Sequence, residues 1–148
     1  MKKLALVTIA LASLAGFANA ADTQTVTVNA TVLNTCKFTT AAQTVTFADI
    51  DPSATTDRTA PLTVSYRCTK GATPVAIVVS TVAGDTVPLT KGAETMAFTV
   101  DVFTGIVNGN GFAQAATAAT STIRILPGQF QDKTAGLYTG SFKVNITP

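Results

Sequence analysis

The segment Ala21-Asp-Thr-Gln-Thr-Val-Thr-Val-Asn-Ala-Thr-Val-Leu33 alternates apolar and polar residues, with Val26, Val28, Ala30 and Val32 set against Thr25, Thr27, Asn29 and Thr31. That period of two is the signature of a strand with one buried face. No charge falls between Thr23 and Thr35, and the segment holds neither Gly nor Pro. A strand of this kind near one end of a chain must find a sheet edge, either in its own domain or in another molecule. The choice separates a self-contained domain from a polymerising one.

Upstream of it, residues 1–20 read as a secretory signal. Lys2 and Lys3 form a basic start, Leu4 to Phe17 an apolar run, and Ala18-Asn19-Ala20 a small-residue cleavage site. The apolar run is shorter than the ~20 residues of a membrane span, and no later stretch reaches that length. The expected product is an exported chain, in the periplasm or outside the cell.

Cleavage would leave 128 of the 148 residues, the size of one domain. Of the ten Lys and Arg, two lie in the signal, so the remaining eight balance the eight Asp and Glu. A neutral chain offers no electrostatic case for nucleic acid and puts up little resistance to self-association. Cys36 and Cys68 are the only cysteines. In an exported chain they are expected to pair, closing a loop of about 33 residues and contributing roughly 3–4 kcal/mol by the chain-entropy model.

The rest reads as short strands between turn signals. Strands are expected over 25–33, 43–48, 61–68, 74–82, 95–104, 121–126 and 137–147, with weaker pieces near 35–39, 86–89 and 111–115. Breakers such as Asp51-Pro52, Lys91-Gly92 and Pro127-Gly128 separate them. Ala113 to Ala119 is Ala-rich but interrupted by Thr and uncapped, and reads as a loop or single turn. In 61–68, Leu62, Val64 and Tyr66 alternate with Thr63, Ser65 and Arg67; in 137–147, Tyr138, Phe142, Val144 and Ile146 share one parity, interrupted by Gly140. Many short strands with Gly-rich turns indicate an all-β, immunoglobulin-like sandwich.

Catalytic signals are poor. The absence of His removes Ser-His-Asp and Cys-His arrangements and His-containing zinc sites. Glu94 is the only Glu, and the Asp residues are scattered, so a two-carboxylate glycosidase has little to stand on. The chain reads as non-enzymatic, with no cofactor and no resident metal. The acidic cluster Asp49, Asp51 and Asp57 is either a calcium loop or a solvated turn. Asn108-Gly-Asn-Gly111 is either an anion nest or a turn. Lys37, Arg67 and Lys70 are too diluted for a basic binding patch. Asn29-Ala-Thr31 and Asn145-Ile-Thr147 match the glycosylation triplet, which a bacterial-looking signal makes idle.

The order of these features resembles the chaperone–usher pilins: signal, alternating strand, Cys just after it, a second Cys about thirty residues on, and a Gly-x-Tyr segment leading to a last strand. The stretches Ile123-Arg-Ile-Leu-Pro-Gly-Gln-Phe130 and Ala135-Gly-Leu-Tyr-Thr-Gly-Ser-Phe-Lys-Val-Asn-Ile146 look most like the archaic, spore coat protein U-like (Csu-type) branch. Two departures are Gly140, where relatives usually carry Asp, and an ending in Thr147-Pro148. The resemblance implies a sandwich domain over 34–148 that lacks its final strand, preceded by a donor strand over 21–33. A periplasmic chaperone lends the missing strand, and an outer-membrane usher exchanges it for the donor strand of the next subunit. Val26, Val28, Ala30 and Val32 would be the inserting side chains; Tyr138, Phe142, Val144 and Ile146 would line the acceptor groove. Residues 21–31 would span ~37 Å as a strand, and three buried valines would give roughly 5–9 kcal/mol per junction before ordering costs. Adhesion and biofilm formation are the functions implied. The competing reading is a monomeric secreted sandwich, for example a carbohydrate-binding module, whose first strand pairs in its own sheet; the absence of Trp speaks against it.

Overall fold

Strand β2 (Arg58–Cys68) organises the molecule, because its pattern leaves no choice of face: Ala60, Leu62, Val64, Tyr66 and Cys68 are buried, while Thr59, Pro61 and Thr63 are exposed. Its long partner is β7 (Thr117–Ile125), antiparallel, in register from Arg58↔Ile125 to Tyr66↔Thr117. In β7 the buried positions are Ala119, Ser121, Ile123 and Ile125. The computed structural model describes residues 23–148 apart from Pro74 and Asp85, and Val32–Pro148 forms one compact unit.

The remaining elements are β1 (Cys36–Phe38), β3 (Ala76–Val79), β4 (Thr86–Lys91), β5 (Glu94–Met96), β6 (Thr99–Val100), β8 (Thr139–Phe142), β9 (Val144–Thr147) and a single helical turn α1 (Pro127–Phe130). The sheets are β1-β2-β7-β6, β3-β9 and β5-β4-β8, and every pairing is antiparallel. The fold is all-β. Among the described residues no helix is long and apolar enough to cross a membrane.

The main core gathers Leu62, Val64 and Tyr66 of β2, Ile77 of β3, Phe103, and Ala119 and Ile123 of β7, with Phe142, Val144 and Ile146 packed against it. A smaller cluster joins Met96, Ile125 and Phe130. Phe130 enters it because Pro127, at the first position of α1, presets the turn.

Cys36 and Cys68 form a disulfide and face each other across β1 and β2. Thr69 N–H donates to Thr35 O at 2.9 Å, which makes 35↔69 a hydrogen-bonded pair and 36↔68 the adjacent non-hydrogen-bonded one, where side chains come closest.

Several expected elements differ. Residues 25–33, 43–48 and 111–115 hold no strand. The strand expected over 74–82 is confined to 76–79, and that over 95–104 divides into β5 and β6. The strand expected from residue 121 begins at Thr117, inside the Ala-rich run read as loop: pairing with Tyr66 and Ser65 extends it. The weak piece at 86–89 is the full strand β4, which tolerates Pro88 because the register shifts between Val87 and Thr90. Gly140 is the counterpart of that shift, since a Cβ there would lie 2.6 Å from Val87 O and 2.7 Å from Pro88 O. The signal-like residues 1–20, and Ala21 and Asp22, lie outside the described residues.

Candidate functional site

Strands β8 and β9 run almost continuously, and their partners lie on one side. Lys143 O accepts from Ser80 N–H at 2.9 Å, just past β3. Thr139 O, of the same parity, accepts from Thr90 Oγ1 of β4 at 3.4 Å. By strand alternation, the backbone groups of Phe142, Val144 and Ile146 therefore turn to the opposite edge. Among the described residues no strand pairs with that edge.

Beside it opens an apolar cleft of ≈ 440 Å³. Its lining comes from three places: the segment Phe38 to Phe47, the inner face of the long pair through Leu62, Val64 and Ile123, and Phe142 and Val144 of β8–β9. Phe98 joins it, its ring 5.6 Å from that of Phe142 at a tilt of 50°. Phe38, Val45, Phe47, Phe98, Phe142 and Val144 are only half-buried although they pack against the core. Core-type side chains left half-covered along an unpaired edge are the feature that marks this site.

Of the four acceptor residues expected from sequence, Phe142 and Val144 line the cleft. Ile146 has the same parity but sits opposite Ile77 in the β3–β9 pair and packs on the main core. Tyr138 is elsewhere: its ring joins the Met96 cluster, and its hydroxyl donates to Glu94 Oε2. Sequence reasoning did not single out the Phe38–Phe47 rim, Leu62 or Ile123 as groove residues. The alternation of Val45 and Phe47 was the available signal, absorbed there into an ordinary strand.

The expected inserting residues are all exposed: Val26 at 75%, Val28 at 84% and Val32 at 81%, with Ala30 likewise open.

The other sequence candidates have structural roles. Asp51 accepts from Ser53 N–H at 2.9 Å and Ser53 Oγ at 2.8 Å, an Asx turn whose hydrogen bonds hold its carboxyl below the usual range. Asp57 lies 3.9 Å from Arg124, and among the described residues no group of carboxylates and cysteines could hold a metal ion. The Asn108–Gly111 loop packs on the turn after β2: Gly109 N–H donates to Ala72 O at 2.9 Å and Gly111 N–H to Cys68 O at 3.0 Å. Lys37 and Arg67 are direct cross-strand partners, like charges that repel rather than build a designed patch, and Arg67 turns to Phe112 O at 3.2 Å.

Glu94, the only Glu, closes a local network. Thr134 Oγ1 donates to it at 2.6 Å and accepts from Lys91 Nζ at 3.1 Å. Hydrogen bonds from Thr134 and Tyr138 hold the Glu94 carboxyl below its ordinary value, and desolvation, then the hydrogen bond to Glu94, raises the Tyr138 phenol. The network ties the 134–138 loop to β4 and β5 and has no open acid–base pair directed at the cleft.

Searches of protein-family models, of curated proteins and of solved structures return no match for this chain. The functional reading therefore rests on the cleft and on the sequence. The cleft sets apolar side chains beside a sheet edge that, among the described residues, no strand pairs with. An extended segment with alternate apolar side chains satisfies both needs at once.

Proposed function

We propose that the chain is the structural subunit of a surface fibre, joined by insertion of residues 25–33 of one copy into the cleft beside β8–β9 of the next. The observation that carries this reading is the unpaired β8–β9 edge running along half-covered core residues. The occupant follows from the second apolar surface of the same chain. Val26, Val28 and Val32 are exposed at every second or fourth position, without charge, in a segment long enough to run along a sandwich edge.

In this reading the domain is an immunoglobulin-like sandwich short of one strand, as in the archaic chaperone–usher pilins that the sequence resembles. A periplasmic chaperone would cover the cleft until an outer-membrane usher exchanges its strand for the next subunit's. Adhesion and biofilm formation would be properties of the assembled fibre, and export to the surface would precede it. The exchange is non-covalent: backbone hydrogen bonds along the edge hold the strand, and valines filling the cleft set its register.

Val28→Asp tests the donor. A carboxylate forced into an apolar cleft without a partner costs several kcal/mol, enough to cancel the roughly 5–9 kcal/mol expected from three buried valines. The variant is expected to be exported at normal levels yet yield no fibres by electron microscopy, whereas Thr27→Asp, on the other face, should still assemble. Normal fibres from Val28→Asp would refute the donor face.

A further inference from the structure

The first sheet also leaves an edge of β2 without a partner strand, and unlike the β8–β9 edge it is partly blocked. Along β2, Ser65 O accepts from Thr39 N–H at 2.8 Å, and Ser65 N–H donates to Thr40 Oγ1 at 2.5 Å. Odd-numbered residues of β2 therefore turn their backbone groups toward β1, which ends at Phe38. Beyond Ser65 in the direction of Arg58, no strand pairs with that edge among the described residues. The next odd position, Thr63, has its carbonyl taken by Gln43 Nε2 at 2.7 Å. The one after that is Pro61, which has no N–H to offer.

Both open edges flank the same cleft, since β2 contributes Leu62 and Val64 to it and β8–β9 contributes Phe142 and Val144. An inserting strand entering the cleft thus meets two candidate edges, one blocked and one open. We infer that Gln43 and Pro61 determine specificity by denying the β2 edge to the donor strand, so that each subunit accepts one strand, on β8–β9. This rests on the strand-exchange reading and extends it from where subunits join to why they join in a single geometry. Removing the guards should make the β2 edge a second acceptor and change an unbranched fibre into a branched or clumped one.

Cysteine trapping in fibres of the full chain separates the two edges. Val28→Cys on the donor is combined with Val144→Cys on the open edge, whereas Thr27→Cys, on the donor's other face, is combined with Thr63→Cys, whose side chain is exposed on the outer face of the guarded edge. After oxidation, boiled non-reducing gels are read for covalent multimers. With the guards intact, the position 28–144 pair should give a ladder and the 27–63 pair only monomer. With Gln43→Ala and Pro61→Thr added, the 27–63 pair should also give a ladder. Gln43→Ala alone, at an exposed position, repeats the test with the least risk to folding, and a retained 28–144 ladder reports that the subunit is intact.

A 27–63 ladder with the guards present, or none after their removal while the 28–144 ladder persists, overturns the guarding role and leaves strand exchange standing. Absence of the 28–144 ladder from the otherwise native chain overturns the strand-exchange reading itself.

Discussion

Gly109 shows how little room the 107–112 loop has. A Cβ at this position would lie 2.1 Å from Thr69 O and 2.9 Å from Cys68 Cβ, so only the bare backbone can reach the turn after β2. The same loop is held from the other side by Tyr66, whose hydroxyl donates to Val107 O at 2.9 Å and accepts from Val107 N–H at 2.8 Å. Gly109→Ala should cost about 1–3 kcal/mol as an overpacked contact, read as a lower urea midpoint with an unchanged slope. The Asn-Gly-Asn-Gly stretch was legible as a break between strands, but this contact was not, because it joins residues some forty positions apart. Asp101 is a second residue with a measurable signature. Arg124 Nε contacts both of its carboxylate oxygens at 3.0 Å and Nη2 reaches Oδ2 at 2.7 Å. Those hydrogen bonds from Arg124 hold the carboxyl below its usual value. With the folded pKa below the unfolded one, the ion pair stabilises the fold above about pH 4 and loses that effect as pH falls through the folded value. Asp101→Asn should flatten the loss of stability on acidification below about pH 4, as followed by the urea midpoint against pH.

At the scale of elements, what could be read in advance was the parity of faces, and what could not was pairing. β2 and the 139–147 strand present the expected side chains to the core because alternation alone decides which residues share a face. Residues 43–48 carry the same kind of pattern yet form no strand, since Gln43 meets β2 through its side chain and not its backbone. β4 was legible only as a weak piece near 86–89, and its Pro88 is accommodated by a register shift and the bare Gly140. β7 begins inside an Ala- and Thr-rich run whose local preference is weak, and its long pairing with β2 overrides that preference. The cleft was legible only by half: Phe142 and Val144 were expected to line it, while its other rim depends on how the chain leaves β1. The disulfide fixes β1, only three residues long, to the end of β2. Replacing both cysteines by serine should lower stability by roughly 3–4 kcal/mol, and it should release the Phe38–Phe47 rim. Hydrogen exchange at Thr39 and Thr69, whose amides bond across this pair, would report that release.

At the scale of the whole molecule, two surfaces stand incomplete: a segment whose valines are exposed and a cleft whose core residues are half-buried. Strand exchange, as proposed, would cover both. Non-covalent exchange predicts multimers that resist detergent but not heat, because a strand buried along a full edge leaves slowly until the fold itself opens. The direct measurement is an SDS gel of oxidised protein sheared from cells, run unheated beside a boiled sample. A ladder spaced by one subunit that collapses to monomer on boiling is the predicted result. A single monomer band in both lanes would contradict strand exchange between copies and leave a secreted monomer whose first segment is completed within its own chain.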